Sequence, residues 1–342
     1  MTRILSFLAF LVCIEAYSAD PLPGLGADAS HVTVSGLSSG GYMAVQLHVA
    51  HSAIVKGAGV IAGGPYYCAK GSVWTAYYYY NCTEPGGAVP VPPIELLHAE
   101  AEAQAKAGRV DATANLAGSH AWLFASRQDK IVSSDVVEAL NGFYSSYKVK
   151  TAIVRDRPAG HGMPTLNAGN PDCAATKSPF INACGYDAAG ELLKQLLGTL
   201  NPPAAAEGGR LLRFDQEEFS NHDAIAISMD GSGYAYVPQA CEKESCRVHV
   251  ALHGCRQNAA EVGERFVREA GYNRWADSNR LIVLYPQTIA RNGWAFGSWS
   301  FVWNPRGCWD WWGYTGPRYH TKEGPQVKAV KAMLERLSAP RQ

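Results

Sequence analysis

The sequence predicts an α/β architecture: a mostly parallel sheet with helices packed on both faces. Three observations carry that expectation. Short β-rich runs alternate with helix-period stretches, the runs are almost continuously apolar, and the stretches between them are long enough to serve as crossovers. The first run is 31–35, followed by a helix from about Tyr42, then a run at 58–62 and a helix over 94–107. Next come 121–125, a helix over 134–147, 151–155 and a helix over 188–200. After the Pro/Ala/Gly-rich stretch 201–209 the alternation resumes with runs at 234–238, 247–252 and 281–285. A helix over 259–278 separates the last two, and a final helix covers about 326–337.

A chain of 342 residues, 47% apolar and 18% charged, is long and apolar enough to bury one large core or two modest ones. Thirty basic residues balance thirty acidic ones, so nothing in the charge favours nucleic acid or an anionic membrane. No repeat or low-complexity tract is present.

The N-terminus stands apart. Arg3 precedes the apolar run 4–14, and the small residues Ala16, Ser18 and Ala19 follow. This is the pattern of a secretory signal peptide over residues 1–19, too short in its apolar part to span a bilayer. Cysteine usage agrees. Nine cysteines are present, and Cys13 lies in the leader, which leaves eight for the exported chain. An even number in an oxidising compartment suggests disulfides. Proximity in sequence pairs Cys68 with Cys82, Cys173 with Cys184 and Cys241 with Cys246, and elimination then pairs Cys255 with Cys308. The absence of Cys-x-x-Cys or a neighbouring His cluster argues against zinc.

Chemistry enters at Gly36-Leu37-Ser38-Ser39-Gly40. This is G-x-S-x-G between a β-run and a helix, the context of a nucleophile elbow, in which a tight turn lifts a serine hydroxyl above a sheet edge. Ser38 occupies the centre of the pentad and is the candidate nucleophile. A serine needs a base and a group to orient that base, and in this fold they follow it in the order acid, then histidine. Asp129 follows the run 121–125, and His161 follows the run 151–155, so both are expected on the same sheet edge as the elbow. Asp135 and Asp156 compete as the acid. Asp135 reads better as part of the start of the next helix, and Asp156 lies too close to its strand.

An oxyanion hole requires two backbone N–H groups. Ser39, next to the nucleophile, is expected to supply one. The other belongs to a His-Gly loop after a strand, found here only in the second half, at Leu252-His253-Gly254-Cys255. His253 reads as a residue shaping that loop, and Cys255 as the second donor. The first half holds the nucleophile, acid and base; the second holds the loop and no nucleophile motif. Neither is complete alone. A circularly permuted α/β-hydrolase, with residues 20–342 forming a single catalytic domain and 201–209 a loop inside it, accounts for this order.

The segments 294–303 and 308–314 concentrate most of the nine tryptophans. Aromatic clusters commonly belong to a core, but Gly, Asn and Pro mark these segments as loops. Beside a catalytic edge they would form an apolar wall for an extended ester.

Taken together, Val34-Ser-Gly-Leu-Ser-Ser-Gly-Gly-Tyr-Met-Ala44, Ala62-Gly-Gly-Pro-Tyr66, Ala251-Leu-His-Gly-Cys255, Gly271-Tyr-Asn-Arg-Trp-Ala-Asp277, Leu284-Tyr-Pro-Gln287 and Gly307-Cys-Trp-Asp-Trp311 resemble extracellular poly(3-hydroxybutyrate) depolymerases. The resemblance is to the single-domain, circularly permuted fungal type and its bacterial relatives, over about residues 30–335. It implies Ser38, Asp129 and His161 as the triad, Ser39 and Cys255 as oxyanion donors, and Trp311 as a contact to bound polyester. It also implies that the eight cysteines of the exported chain fall where the family has them. The expected protein is a secreted serine esterase, extracellular or periplasmic, monomeric, and acting on a polyester or oligoester. No metal or organic cofactor is implied. A general esterase for short acyl or aromatic esters is the alternative, and a non-catalytic polymer-binding module is a third reading that would need none of the triad.

Overall fold

The computed structural model describes residues 19–79, 82–83, 91–294 and 301–341. The leader expected over 1–19 lies outside these residues except for Ala19. In chain order the strands are β1 (Asp28–Leu37), β2 (Val55–Ile61), β3 (His120–Phe124), β4 (Lys150–Val154), β5 (Met163–Thr165), β6 (Ile181–Ala183), β7 (Arg210–Asp215), β8 (Ser232–Val237), β9 (Arg247–Leu252), β10 (Leu281–Tyr285), β11 (Arg291–Trp294) and β12 (Phe301–Asn304). The helices are α1 (Ser39–Ala50), α2 (Ile94–Lys106), α3 (Ser134–Ser146), α4 (Ala188–Leu197), α5 (Ala259–Val262), α6 (Arg265–Glu269), α7 (Asn273–Asn279) and α8 (Pro325–Ser338).

Eight strands form one sheet in the order β4-β3-β2-β1-β9-β10-β8-β7. Only β8 runs antiparallel to its neighbours. The strands alternate between two apolar layers, as the period of two requires. On β3, Leu123 joins the layer of α1, α3 and α8, while Trp122 and Phe124 join that of α4, α6 and α7. On β10, Ile282 and Leu284 face the first layer, and Leu281, Val283 and Tyr285 the second.

At the centre of the sheet, β1 pairs in parallel with β2 on one side and with β9 on the other. The two halves of the chain are therefore neighbours in one sheet, and 201–209 is a loop leading into β7. The order is that of an α/β-hydrolase sheet whose first four strands have moved behind the rest. Buried polar contacts stitch the same seam. His249 on β9 reaches Thr33 Oγ1 at 2.8 Å and Ser35 Oγ at 2.7 Å.

The helix expected over 259–278 is instead three short helices, α5, α6 and α7. Gly263 and Gly271 interrupt it with φ of 60° and 97°, values that a helix interior does not contain. The edge strand β7 and the short pair β5–β6 were absent from the sequence reading.

Three fully buried histidines make stability depend on pH. Burial pushes His48 and His249 down to about 3, and His253 to about 4, from an ordinary 6.5. Below about 6.5 the unfolded chain takes up a proton on each while the folded one does not, so stability is full above that pH and is lost as pH falls toward the folded values. The expected loss is about 1.4 kcal/mol per pH unit for each histidine. Thermal unfolding followed from about pH 7 to pH 4 should show a steep fall in Tm, and a flat profile would contradict it.

Candidate active site

Ser38 stands between the end of β1 and the start of α1, with φ 56° and ψ −122°. A non-glycine residue there costs about 1–3 kcal/mol and persists only where its surroundings hold it. Its N–H donates to the Ile61 carbonyl at 2.9 Å, and its carbonyl accepts from Tyr42 N–H at 3.1 Å. The flanking glycines are a matter of space. A Cβ on Gly36 would lie 2.2 Å from the Gly40 carbonyl carbon and oxygen, and one on Gly40 would lie 2.4 Å from the Leu252 carbonyl oxygen. The bare Gly40 thus lets the end of β9 close down on the elbow.

Asp129 lies in the loop after β3 and His161 in the loop after β4. His161 Nδ1 and Asp129 Oδ2 are 2.8 Å apart, and both side chains are nearly sealed from solvent. Asp129 Oδ1 is occupied separately, accepting from Ile131 N–H at 2.8 Å and Val132 N–H at 3.0 Å. Ser126 ties the two loops together. Its Oγ donates to the Ala159 carbonyl at 2.6 Å and accepts from Ala159 N–H at 3.1 Å. The competing acids are elsewhere: Asp135 is exposed in the first turn of α3, and Asp156 is exposed beside Arg157.

Ser38, Ser39, His161 and Cys255 line one cavity of about 290 Å³. Ser38 Oγ and His161 share it without a hydrogen bond between them among the described residues; such contacts are commonly long without substrate and tighten when it binds. Ser39 is the first residue of α1, where an N–H has no helical acceptor. Cys255 N–H has no acceptor among the described residues. Two free amide donors therefore belong to residues that line the same space as the serine.

The loop that carries Cys255 is held from several sides. Thr288 N–H donates to His253 Nε2 at 3.1 Å, which places the ring proton on Nδ1, and Nδ1 donates to the Gly254 carbonyl at 2.7 Å. That carbonyl shares its peptide plane with Cys255 N–H, so the buried imidazole sets the direction of the amide. Gly254 N–H donates to Gln257 Oε1 at 2.8 Å, and Gln257 Nε2 donates onward to the carbonyls of Pro179 and Phe180.

The disulfides are Cys68–Cys82, Cys173–Cys184, Cys241–Cys246 and Cys255–Cys308. The last joins the His253–Cys255 loop to the aromatic segment that follows β12. There Trp311 lines the cavity, stacked on Tyr42 at 4.3 Å and met edge-on by Tyr77 at 5.6 Å. The segment is pinned by Asp310. Its Oδ1 accepts from Gly313 and Tyr314 N–H, and its Oδ2 accepts from Thr315 N–H and Oγ1, all within 2.6–3.0 Å.

The loop reading of the aromatic end is correct for 308–314 and not for both ends of 294–303. Trp294 closes β11, and Trp303 lies on β12, in a two-stranded hairpin. Val302 and Asn304 are buried while Phe301 and Trp303 point out, a period of two that the intervening Gly and Ser residues obscure. Trp299 lies outside the described residues. The sequence also carries a run of four tyrosines, Tyr77 to Tyr80. A single π-helical turn, Thr75–Tyr79, brings Tyr77 into the cavity, while Tyr78 stacks on Trp74 outside it; Tyr80 lies outside the described residues.

Comparison with known proteins bears on what this arrangement is. No family model matches the chain. A polyhydroxybutyrate depolymerase from Talaromyces funiculosus is 36% identical over 344 residues, covering 96% of each chain. The chain belongs to the polyhydroxybutyrate depolymerase family. A second depolymerase relative, the poly(3-hydroxybutyrate) depolymerase of Delftia acidovorans, is 42% identical over 336 residues, and the chain spans 63% of that protein's length. Two solved depolymerase structures superpose with a TM-score of 0.82 over 94% of this chain and all of theirs. One is the Penicillium funiculosum enzyme at 35% identity, and the other, at 34%, is a serine-to-alanine PHB depolymerase complexed with an R3HB trimer. Sequence reasoning missed Ser126, Tyr42, Tyr77, Arg256 and Arg306 as neighbours of the site. None carries a motif. Only the placement of Ser126 on the same loop as Asp129 hinted at its position.

Proposed function

We propose that this protein is a secreted serine esterase that hydrolyses poly(3-hydroxybutyrate) or its oligomers through an acyl-enzyme, in one catalytic domain over residues 20–342. The observation that carries the proposal is the buried Asp129–His161 pair beside Ser38, in a cavity also lined by Ser39 and Cys255 with their free amides. Ser38 Oγ attacks the ester carbonyl carbon while His161 Nε2 takes its proton. Asp129 keeps the imidazole proton on Nδ1 and offsets the charge of the imidazolium. The N–H groups of Ser39 and Cys255 hold the oxyanion, the more effectively because their loops are already fixed when charge develops. His161 returns the proton to the leaving alcohol and then activates water against the acyl-enzyme. Trp311 and its stacked partner Tyr42 offer an apolar wall to the methyl-bearing ester backbone. The leader-like N-terminus and four disulfides support export.

The test is clearing of an amorphous poly(3-hydroxybutyrate) suspension by the purified protein beside Ser38→Ala. Clearing by the unaltered protein alone is the expected result. Rapid cleavage of simple chromogenic esters with the suspension and its oligomers untouched would move the function to a general esterase.

A further inference from the structure

Among the described residues, the lining of the Ser38 cavity contains two permanent positive charges and no carboxylate. They belong to Arg256 and Arg306, both exposed at the mouth. Among the described residues neither guanidinium makes a hydrogen bond or an ion pair. The two side chains rise from one junction. Arg256 N–H donates to the Arg306 carbonyl at 2.7 Å, and the Cys255–Cys308 disulfide clamps the neighbouring residues with their Cα atoms 4.2 Å apart. Arg306 also lines an adjoining cavity of about 230 Å³, walled by Tyr77, Tyr78, Trp303 and Trp312.

A neutral ester backbone needs no cation to bind it. Two unpaired guanidinium groups on one rim repel each other, and their fork of donors matches a carboxylate. A hydroxyacid polyester has one such group, at the end of the chain, and each hydrolysis creates another. We propose that Arg256 and Arg306 bind the free carboxylate of a 3-hydroxybutyrate oligomer, so that chain ends are cleaved in preference to esterified ends. This rests on the esterase reading above. The carboxylate belongs to the leaving side. The bond from acyl carbon to leaving oxygen breaks, Ser38 Oγ takes the acyl group, and the leaving oxygen receives the proton through His161. The released hydroxy acid keeps its carboxylate throughout.

The experiment measures kcat/KM for the R3HB trimer as the free acid and as its methyl ester. The unaltered protein is expected to favour the acid by about tenfold at low salt, the scale of two exposed charge-assisted contacts. The preference should shrink toward parity in about 0.5 M NaCl, where exposed charges are screened. The Arg256→Gln/Arg306→Gln double variant should lose it at low salt, and Arg306→Lys should keep part of it. Equal rates on acid and ester in the unaltered protein, or a preference that survives in the double variant, would overturn the proposal. Cleavage of neither trimer would overturn the esterase reading beneath it, which separates the two failures.

Discussion

Ser38→Ala is expected to lower kcat by about 10⁶, the scale of loss when a serine nucleophile is removed. That corresponds to about 8 kcal/mol of transition-state stabilisation. The fold should survive, because the contacts that hold the elbow are made by the backbone of residue 38, to Ile61 and Tyr42. Alanine meets the same strain as serine at a φ of 56°. The measurement pairs single-turnover rates with thermal unfolding and with labelling by a serine-directed phosphonate. Loss of rate and label at an unchanged Tm is the expected combination. A variant retaining more than about 1% of the rate would assign the nucleophile elsewhere, with Ser39 the first to examine.

Asp129→Asn tests the orientation of the base, and the expected loss is about 10⁴ in kcat. Asp129 Oδ1 accepts from two backbone N–H groups, of Ile131 and Val132. An asparagine must turn its carbonyl oxygen to the same donors, which points its NH₂ group at His161 Nδ1. The imidazole then carries its proton on Nε2, facing Ser38, and cannot accept the serine proton. Because the loop contacts are preserved, stability should change by less than about 1 kcal/mol. An intact rate with the asparagine in place would mean that Asp129 has no part in the chemistry. A large fall in Tm would mean that its main work is to hold the loop.

The site was legible where a functional residue directly follows an apolar strand. The candidates Ser38, Asp129, His161 and Cys255 come after β1, β3, β4 and β9 in turn. The later part of β1 and nearly all of β3 and β9 are buried and read as apolar runs, and edge strand β4, only partly buried, still shows the apolar stretch Ala152-Ile153-Val154. The same rule explains the misses. Edge strand β7 reads Arg-Leu-Leu-Arg-Phe-Asp and is only partly buried, so no continuous run marks it. The expected 259–278 helix is broken at Gly263 and Gly271, whose positive φ the apolar spacing on either side does not reveal. Arg256 and Arg306 look like ordinary solvated loop charges, fifty residues apart in sequence. The backbone hydrogen bond between them and the adjacent Cys255–Cys308 disulfide put both at the mouth of one cavity. Tyr77 is similar: its place depends on a π-helical turn, for which the Tyr-rich run offers no periodic sign.

The seam between β1 and β9 has a consequence for how the chain comes to be folded. These strands lie side by side at the middle of the sheet, and Thr33 meets His249 across 216 residues of sequence. Contacts of such separation are slow to form, since the entropy of closing the loop is lost before the contact can repay it. A chain delivered from its N-terminus can assemble β1 to β4, but the other edge of β1 stays bare until residue 252 arrives. An unpaired central edge is a template for wrong partners. Collapse of the sheet is therefore a late event, and until it occurs Ser38 has no Cys255 amide beside it. A partly delivered chain holds the serine without the means to use it.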